Sequence, residues 1–382
     1  MYALSQKGMN FDFTTCVKPN MTKLEHAYGN KMASIIKKSE KVNILESLEE
    51  SVINRIIEKG NYDITINTHG DTLPYYHCSL LKNNAITYCH FPSAKCHMDS
   101  ENLEYLRDIG VTSFPQIYDM DYSKNNIEAP ILDLETKQKV KRYFKFLRDK
   151  YDNLMKNTLV LTNSEYTRKV ISNVFNIDAK ILYPPVDVDS FRDIALKSNQ
   201  REDMILVLSR IAPDKQIENA IEVARLLRGS GIRKDMIIAG NLHHYDHHYY
   251  QQLKNMIADY DLSDYVSFQT NVSFSKLIQL MRLAKVSFHP RIGEHFGISI
   301  VEAMASGLVP VVSNIGGQTE FVPPKYHFHT LGHAAELIAL GFEATDSERR
   351  DISNYTTKFS NANYIQSLHG ILSELLNAKD NI

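Results

Sequence analysis

The chain has 382 residues and a formal net charge of −2, a length that exceeds what one hydrophobic core usually organises and therefore predicts two domains. A charge so close to neutral excludes a nucleic-acid binder that relies on bulk electrostatics. No apolar run is long enough to span a membrane, no signal-peptide pattern is visible, and 4 cysteines are too few for a disulfide scaffold, so we expect a cytoplasmic protein.

Apolar runs alternate with helical patterns along the whole chain. The runs that predict strands are 12–17, 63–67, 85–90, 158–162, 180–183, 204–208, 236–239, 266–268, 286–288 and 309–313. Between them, the segment 217–227 places its apolar residues on one helical face. This alternation is typical of the α/β class, in which parallel sheets are covered by helices on both sides.

The domain boundary is predicted at two consecutive prolines, Pro184 and Pro185, because proline interrupts both helices and strands. We therefore expect an N-terminal domain over 1–184 and a C-terminal domain over 190–359. Both are expected to be Rossmann-like and to face a common cleft.

In the first domain, His90 ends the predicted strand 85–90, and Pro92 stops that strand. A histidine at the carboxyl end of a parallel strand lies at the edge where such folds bind ligands. The alternative is a histidine at the edge of the core whose ring is satisfied by the backbone. His69, which follows the strand 63–67, is another candidate for the same cleft.

A basic segment with interleaved apolar residues covers 137–150. As a helix, it would present a surface able to rest on anionic lipid. The alternative is a solvated helix that packs Phe144 and Leu147 on its own domain. The sequence leaves both interpretations open.

Two cations open the second domain. Arg210 and Lys215 follow the predicted strand 204–208, at the carboxyl edge of the sheet. Guanidinium and ammonium groups at such an edge are typical of phosphate binding. Gly240, at the end of the next strand, is predicted to let a backbone approach a nucleotide closely. The alternative for the two cations is an ordinary solvated loop.

Two groups of histidines suggest metal binding at first sight. The first group is His77, Cys78, Cys89, His90, Cys96 and His97. Its spacing lacks the paired cysteines of structural zinc sites. The second group is His243, His244, His247 and His248. On a helix its members share faces in pairs, but an exposed polar loop after Gly240 is favoured. We expect no metal ion and no cofactor.

The most informative segment follows the predicted strand 286–288. Gly297 ends a tight loop, a helix is predicted over 298–305, and Gly307 is its predicted stop. Free backbone N–H groups and the positive end of the helix dipole suit an anionic phosphate at the start of this helix.

Two glutamates, Glu294 and Glu302, lie in this loop and inside the predicted helix. About two helical turns separate them, which is too far for sharing a proton or clamping a pair of metal ions. The spacing suits one acid for a sugar and one for a ribose, with a diphosphate between them. The alternative, two solvated residues without a role, is disfavoured by the ordered glycines, helix and strand around them.

This segment resembles the signature of the retaining GT-B glycosyltransferases of glycosyltransferase family 4. Glu294-His-Phe-Gly297 leads into Glu302-Ala-Met-Ala-Ser-Gly307, and a Gly-Gly turn with Glu320 follows. The resemblance implies a GT-B fold in which the last segment, 360–382, crosses back to complete the first domain.

The resemblance also implies roles for the residues named above. The implied catalytic residues are Glu294, His90, Arg210 and Lys215. The implied donor-binding residues are Glu302, Gly297, Ile298, Ser299 and Gly240. Glu302 would bind the ribose, Arg210 and Lys215 would stabilise the departing diphosphate, Glu294 would hold sugar hydroxyls, and His90 would orient the sugar.

A narrower resemblance covers the middle of the chain. The segments 159–168 and 181–191, together with His90-Phe-Pro92, are similar to the α-1,2-mannosyltransferases that extend dolichol-linked oligosaccharides from GDP-mannose. This implies a nucleotide-sugar donor, a glycan or lipid-linked oligosaccharide acceptor, and a peripheral position at the cytoplasmic membrane face. Against the family pattern, the segment 3–13 looks like the end of the first helix and the second strand, so the first strand and the Gly-rich loop are expected to be absent.

The predicted function is retaining transfer of a hexose, with mannose from GDP-mannose favoured. The resemblance implies attack from the face that the nucleotide leaves, so no enzymatic nucleophile is required. Three alternatives remain open: a non-catalytic nucleotide-sugar-binding subunit, a repurposed truncated GT-B protein, and a sugar-nucleotide epimerase.

Overall fold

The structure, a computed structural model, describes residues 1–46, 50–68, 84–103, 133–197 and 201–379. The strands are β1 (Asp12–Thr15), β2 (Lys41–Ile44), β3 (Ile64–Asn67), β4 (Asn84–Cys89), β5 (Leu159–Thr162), β6 (Lys180–Ile181), β7 (Glu202–Leu208), β8 (Asp235–Gly240), β9 (Val266–Thr270), β10 (Ala284–Phe288), β11 (Val309–Ser313) and β12 (His327–Phe328). The candidate His69 and the group members His77 and Cys78 lie outside the described residues.

The helices alternate with these strands. They are α1 (Tyr2–Gln6), α2 (Met21–Ile36), α3 (Glu50–Gly60), α4 (Ser93–Asp99), α5 (Leu134–Asn157), α6 (Glu165–Phe175), α7 (Val188–Lys197), α8 (Glu218–Gly229), α9 (His247–Asp259), α10 (Phe274–Leu283), α11 (Ile298–Ala305), α12 (Leu331–Gly341), α13 (Asp346–Asn354) and α14 (Asn361–Lys379). The helix predicted over 298–305 and the strand predicted over 309–313 coincide with α11 and β11.

The chain divides into two compact units. Unit 1 comprises Met1–Phe13, Lys18–Val42 and Tyr183–Ser373, and unit 2 comprises Thr14–Val17, Asn43–Leu182 and Glu374–Ile382. The change of unit after Leu182 lies beside the two prolines of the predicted boundary. Most of the first 42 residues, however, cluster with unit 1 rather than with the domain expected for them, since α1 lies beside α14 and α2 contacts α10. The predicted domain limits stay a prediction.

Unit 1 contains a parallel sheet with the strand order β12-β11-β10-β7-β8-β9. Helices cover both faces of such a sheet, so its central strands are apolar on both sides. In β7, Ile205, Leu206 and Val207 have no exposed surface. The loops that carry the candidate site follow the carboxyl ends of β7 and β10.

Unit 2 contains a parallel sheet with the strand order β3-β4-β5-β6. The strand predicted over 12–17 is present as β1, which pairs with β2 in a separate two-stranded sheet. In α5, Phe144 and Leu147 are buried in the core of unit 2, as the packing alternative predicted. None of the helices in the described ranges is both long and apolar enough to cross a membrane.

Candidate functional site

The loop between β10 and α11 is shaped by glycines. Gly293 and Gly297 have φ angles of +77° and +96°, a region that glycine adopts without steric penalty. Gly297 is the N-cap of α11, and a Cβ atom on it would lie 2.5 Å from Cδ1 of Ile300. At the other end, Gly307 has a φ of +78° directly after the helix, which confirms the predicted stop.

The main chain of Glu294 is held by the Gly-Gly turn that follows β11. The Gly317 N–H donates to the Glu294 carbonyl at 2.8 Å, and the Gly293 N–H donates to the Ile315 carbonyl at 3.0 Å. A Cβ atom on Gly316 would lie 2.4 Å from the Glu294 carbonyl oxygen. This turn therefore positions Glu294 through backbone contacts that only a glycine permits.

An aromatic cluster supports the same loop from beneath. The Phe296 ring lies 5.2 Å from the Phe359 ring and 5.3 Å from the Phe321 ring, centroid to centroid. Tyr183 packs on Phe359 at 5.2 Å and donates its hydroxyl to a Glu320 carboxylate oxygen at 3.2 Å. Contacts of this kind fix the backbone between Glu294 and Gly297.

The Glu294 carboxylate is buried and heavily bonded. Its Oε2 atom lies 3.0 Å from Lys215 Nζ and 3.1 Å from His289 Nε2. Arg291 NH1 is 3.6 Å from the same oxygen, while Oε1 accepts the His295 backbone N–H at 2.9 Å. Two loops, one after β7 and one after β10, thus meet on one carboxylate.

These partners keep Glu294 ionised. Burial alone would raise the pKa of this carboxyl group, but the hydrogen bond and charge of His289, followed by the charges of Lys215 and Arg291, outweigh it. The pKa of Glu294 therefore lies well below its usual range. A carboxylate that only accepts hydrogen bonds requires the proton of His289 to be on Nε2.

Arg210, the second predicted cation, is in a different environment. Its side chain is 48% exposed and lies 3.1 Å from a carboxylate oxygen of Asp214. Asp214 is also 3.9 Å from Lys215 and 3.8 Å from Arg291. One acid therefore connects the three cations, and Arg210 is the most accessible of them to a ligand.

Arg291 also sets the state of His295. Arg291 can only donate, so the 3.1 Å contact between its NH2 atom and His295 Nε2 makes that nitrogen an acceptor. Burial, with the charge of Arg291 as a second cause, lowers the pKa of His295 to about 4. His295 is therefore neutral near pH 7.

Glu302 lies inside α11, and its hydrogen-bond partners and pKa shift differ from those of Glu294. Its side chain makes no hydrogen bond or ion pair with the residues that the structure describes. Burial raises its pKa to about 7. The N–H groups of Ile298 and Ser299, at the start of α11, also find no acceptor in the described ranges, as expected for the first turn of a helix.

The remaining predicted site residues have other surroundings. A Cβ atom on Gly240 would lie 1.7 Å from the Ser209 carbonyl, so this glycine is required by the packing of β8 on the end of β7. His90 belongs to unit 2 and is exposed, and its Nε2 atom lies 3.1 Å from the Thr68 carbonyl. That contact is the one expected for the backbone-satisfied alternative. The predicted roles of both residues stay predictions.

The second histidine group lies in a short 3₁₀ turn, His244–Asp246, and at the start of α9. Across the described ranges, no three histidine, cysteine, aspartate or glutamate side chains are arranged to hold a metal ion. The sequence reasoning missed His289 and Arg291, which contact Glu294 directly. Both lie within five residues of Glu294 along the chain, but that proximity alone does not show which side chains contact the carboxylate.

Comparisons with known proteins bear on the fold. The chain is similar over 96–98% of its length to a solved glycosyltransferase from Rickettsia africae ESF-5 (TM-score 0.66, 15% identity, 92% of that chain) and to Anabaena Alr3699/HepE in complex with UDP and glucose (TM-score 0.64, 16% identity, 99% of that chain). Identities this low show the fold alone. The protein has the α/β GT-B fold of glycosyltransferases, which confirms the predicted fold class.

Residues 189–358 match the family model of glycosyl transferases group 1. Among curated proteins, the GDP-Man:Man(3)GlcNAc(2)-PP-Dol alpha-1,2-mannosyltransferase of Dictyostelium discoideum is 28% identical over 231 residues. The match covers 53% of this chain and 46% of the relative. The chain spans about half the length of the curated relatives it matches.

Proposed function

We propose that this protein is a retaining hexosyltransferase that moves mannose from GDP-mannose to a lipid-linked oligosaccharide. The observation that carries the proposal is the ion pair of Lys215 with Glu294 in the loop that leads to the open N-terminus of α11. It joins a cation suited to a departing diphosphate with an acid suited to sugar hydroxyls. The name of the curated relative supports mannose as the sugar and a dolichol-linked acceptor.

In this proposal the donor is held from three sides. Glu302, which has no protein partner in the described ranges, accepts the ribose hydroxyls. The N–H groups of Ile298 and Ser299 donate to the diphosphate, helped by the positive end of the α11 dipole. Arg210 is exposed enough to turn from Asp214 to a phosphate oxygen. Each contact uses a group whose hydrogen-bonding capacity the protein leaves open or only loosely satisfied.

The reaction breaks the bond between the anomeric carbon of the sugar and the diphosphate oxygen. Negative charge develops on that oxygen, where Lys215, Arg210 and the helix N-terminus stabilise it. Glu294 holds hydroxyl groups of the transferred sugar, and His90 orients the sugar. The acceptor hydroxyl attacks from the face that the nucleotide leaves and transfers its proton to the departing diphosphate oxygen, so no covalent enzyme intermediate is formed. No metal ion or cofactor is required in this scheme.

We place the lipid-linked acceptor near α5, at a cytoplasmic membrane face. The buried side of α5 carries Val140, Phe144 and Leu147, while the exposed side of this helix carries a set of cations and two apolar residues. The exposed set is Lys137, Lys139, Lys141, Arg142, Lys145, Leu134 and Phe146. Cations with apolar side chains among them suit the headgroup region of an anionic membrane.

Calorimetric titration of the full chain with GDP-mannose, UDP-glucose and UDP-N-acetylglucosamine, each with EDTA present, tests the proposal. We expect binding of GDP-mannose, loss of that binding in Glu302→Ala, and no change in Glu336→Ala, an exposed glutamate of α12. A transfer assay with a dolichol-linked oligosaccharide follows. Binding without transfer would favour the non-catalytic nucleotide-sugar-binding subunit, and binding of none of the three donors would reject the proposal.

A further inference from the structure

His289 is the first residue after β10, and the sheet fixes its position. Its backbone N–H donates to the Val311 carbonyl of the neighbouring strand at 3.0 Å. Its side chain is only 5% exposed, and its Nε2 atom lies 3.1 Å from Glu294 Oε2. Because the backbone is held by the sheet and the ring is enclosed, this contact cannot be relieved by a simple change of rotamer.

The two oxygens of Glu294 are used unequally. Oε2 has two donors at hydrogen-bonding distance, Lys215 Nζ and His289 Nε2, and these fill its two lone-pair directions. Oε1 has the His295 N–H. One acceptor position therefore remains on Oε1, which makes it the oxygen that can receive a hydroxyl group.

The two donors on Oε2 differ in mobility. Lys215 is a flexible point charge with 16% of its side chain exposed, and a carboxylate oxygen of Asp214 also lies 3.9 Å from its Nζ atom. A diphosphate near the start of α11 competes with Glu294 for this ammonium group. His289 has no such freedom, because it is buried behind the loop.

We propose that His289 is a positioning residue for Glu294. It holds Oε2 when the donor diphosphate draws Lys215 away, so that Oε1 stays aimed at a hydroxyl of the transferred sugar. The inference rests on the proposed function, since it assumes that Glu294 meets the sugar. It assigns to His289 a role in turnover rather than in donor affinity, because the ribose and the diphosphate are held by other groups.

Two substitutions at this position separate the hydrogen bond from simple packing. His289→Leu keeps an apolar side chain of similar size and removes the donor, whereas the amide N–H of His289→Gln can replace Nε2–H. We expect kcat to fall by about 10²-fold in His289→Leu with the donor KM within about threefold of the wild type. His289→Gln should recover most of that loss.

His327→Leu is the matched control. His327 also lies in unit 1 and is partly buried, and its Nε2 atom lies 2.9 Å from a backbone carbonyl, that of Val322, outside the site. This variant should lose stability without losing kcat. The inference is overturned if His289→Leu turns over like the wild type, or if His289→Gln loses as much activity as His289→Leu.

A second measurement does not depend on activity. Long-range ¹H–¹⁵N correlation spectra of the full chain report which ring nitrogen of His289 carries the proton, with His289→Gln used to assign the signal. A proton on Nε2 is expected, before and after addition of GDP-mannose, and a neutral ring protonated on Nδ1 overturns the inference. If the wild type binds no donor and transfers no sugar, the proposed function fails, while this spectrum still decides whether His289 holds Glu294.

Discussion

Lys215 and Glu294, for which the family resemblance implies roles at the diphosphate and at the sugar, are bound to each other: Nζ lies 3.0 Å from Oε2. Only 16% and 9% of the two side chains are exposed. Removal of one partner from a buried pair leaves a charge without compensation, which destabilises a protein more than loss of both partners. Without a ligand, the charges of Lys215 and Glu294 therefore compensate each other, and a ligand must compete with Glu294 for the lysine.

Lys215→Met should therefore lower the free energy of unfolding by about 1–3 kcal/mol, because Glu294 keeps only His289 and Arg291 as cationic or donor side chains nearby. In the double variant Lys215→Met/Glu294→Gln, most of this stability should return, while sugar transfer stays lost. Urea denaturation and a transfer assay measure the two effects. Losses of stability that simply add would show that the two residues are not coupled.

The pKa of Glu302 predicts a pH-dependent stability. Burial raises the pKa of Glu302 from 4.5 to about 7, so at pH values between these two the protein takes up a proton when it folds. The contribution of Glu302 to the free energy of unfolding is therefore fully present below 4.5 and is lost as the pH rises through about 7. Glu302→Gln should raise the free energy of unfolding by about 1–3 kcal/mol near pH 8 and change it little below pH 5.

Thermal melts across this pH range measure the effect. The control is Glu336→Gln, at an exposed position of α12, which should give the same difference at every pH. A Glu302→Gln difference that does not vary with pH would mean that Glu302 titrates normally.

Gly316 predicts a steric effect on the site. A Cβ atom there would lie 2.4 Å from the Glu294 carbonyl oxygen and 2.8 Å from its nitrogen, and the φ angle is +130°. Gly316→Ala should cost about 2–4 kcal/mol of stability and most of the transfer activity, since the Glu294 segment must move.

Gly231→Ala is its matched control. Gly231 also has a positive φ, +79°, but a Cβ atom on it would meet nothing within 4 Å. It should cost only the backbone strain, about 1 kcal/mol, and leave activity unchanged. Equal losses in both variants, measured by denaturation and transfer, would remove the steric argument.

The exposed cations of α5 predict binding to anionic vesicles. The triple variant Lys141→Glu/Arg142→Glu/Lys145→Glu should lower the affinity for phosphatidylserine-containing vesicles by more than about 100-fold, because each cation near the surface contributes about 1 kcal/mol. Binding should also weaken as salt is added. Co-sedimentation with vesicles measures both effects.

A second triple variant separates position from net charge. Arg233, Lys254 and Arg350 are exposed cations of unit 1, and their reversal to glutamate changes the net charge by the same amount. Vesicle binding should survive this change. If both triple variants lose binding equally, the total charge and not α5 is responsible.

The strands of unit 1 are predictable because both faces of its sheet are covered. Strands such as β7 and β11 then contain nearly continuous apolar runs, and their limits follow from the sequence within about two residues. β2 shows the opposite case. Its sequence, Lys41-Val42-Asn43-Ile44, alternates in polarity, but Val42 and Ile44 are exposed and Asn43 is buried, so the alternation assigns the wrong face to the core.

The candidate site likewise contains residues that the sequence predicts and residues that it does not. Glu294, Glu302 and Lys215 could be found because glycines and element ends fix their surroundings. His289 could not, because it continues the apolar run of β10 and reads as part of a strand. The contact of Arg291 with Glu294 depends on a loop whose path is set by the positive φ angles of Gly293 and Gly297, and spacing along the chain does not encode that path.

The packing of α1 on α14 has a consequence for synthesis of the protein. Leu4 of α1 and Leu368 of α14 line the same crevice of unit 1, although almost the whole chain separates them. During translation, α1 leaves the ribosome long before α14 exists, so this contact closes last and carries the entropy of a very long loop. Unit 1 therefore completes its packing only after α14 has emerged, and until then α14 does not cover Ala3 and Leu4 of α1.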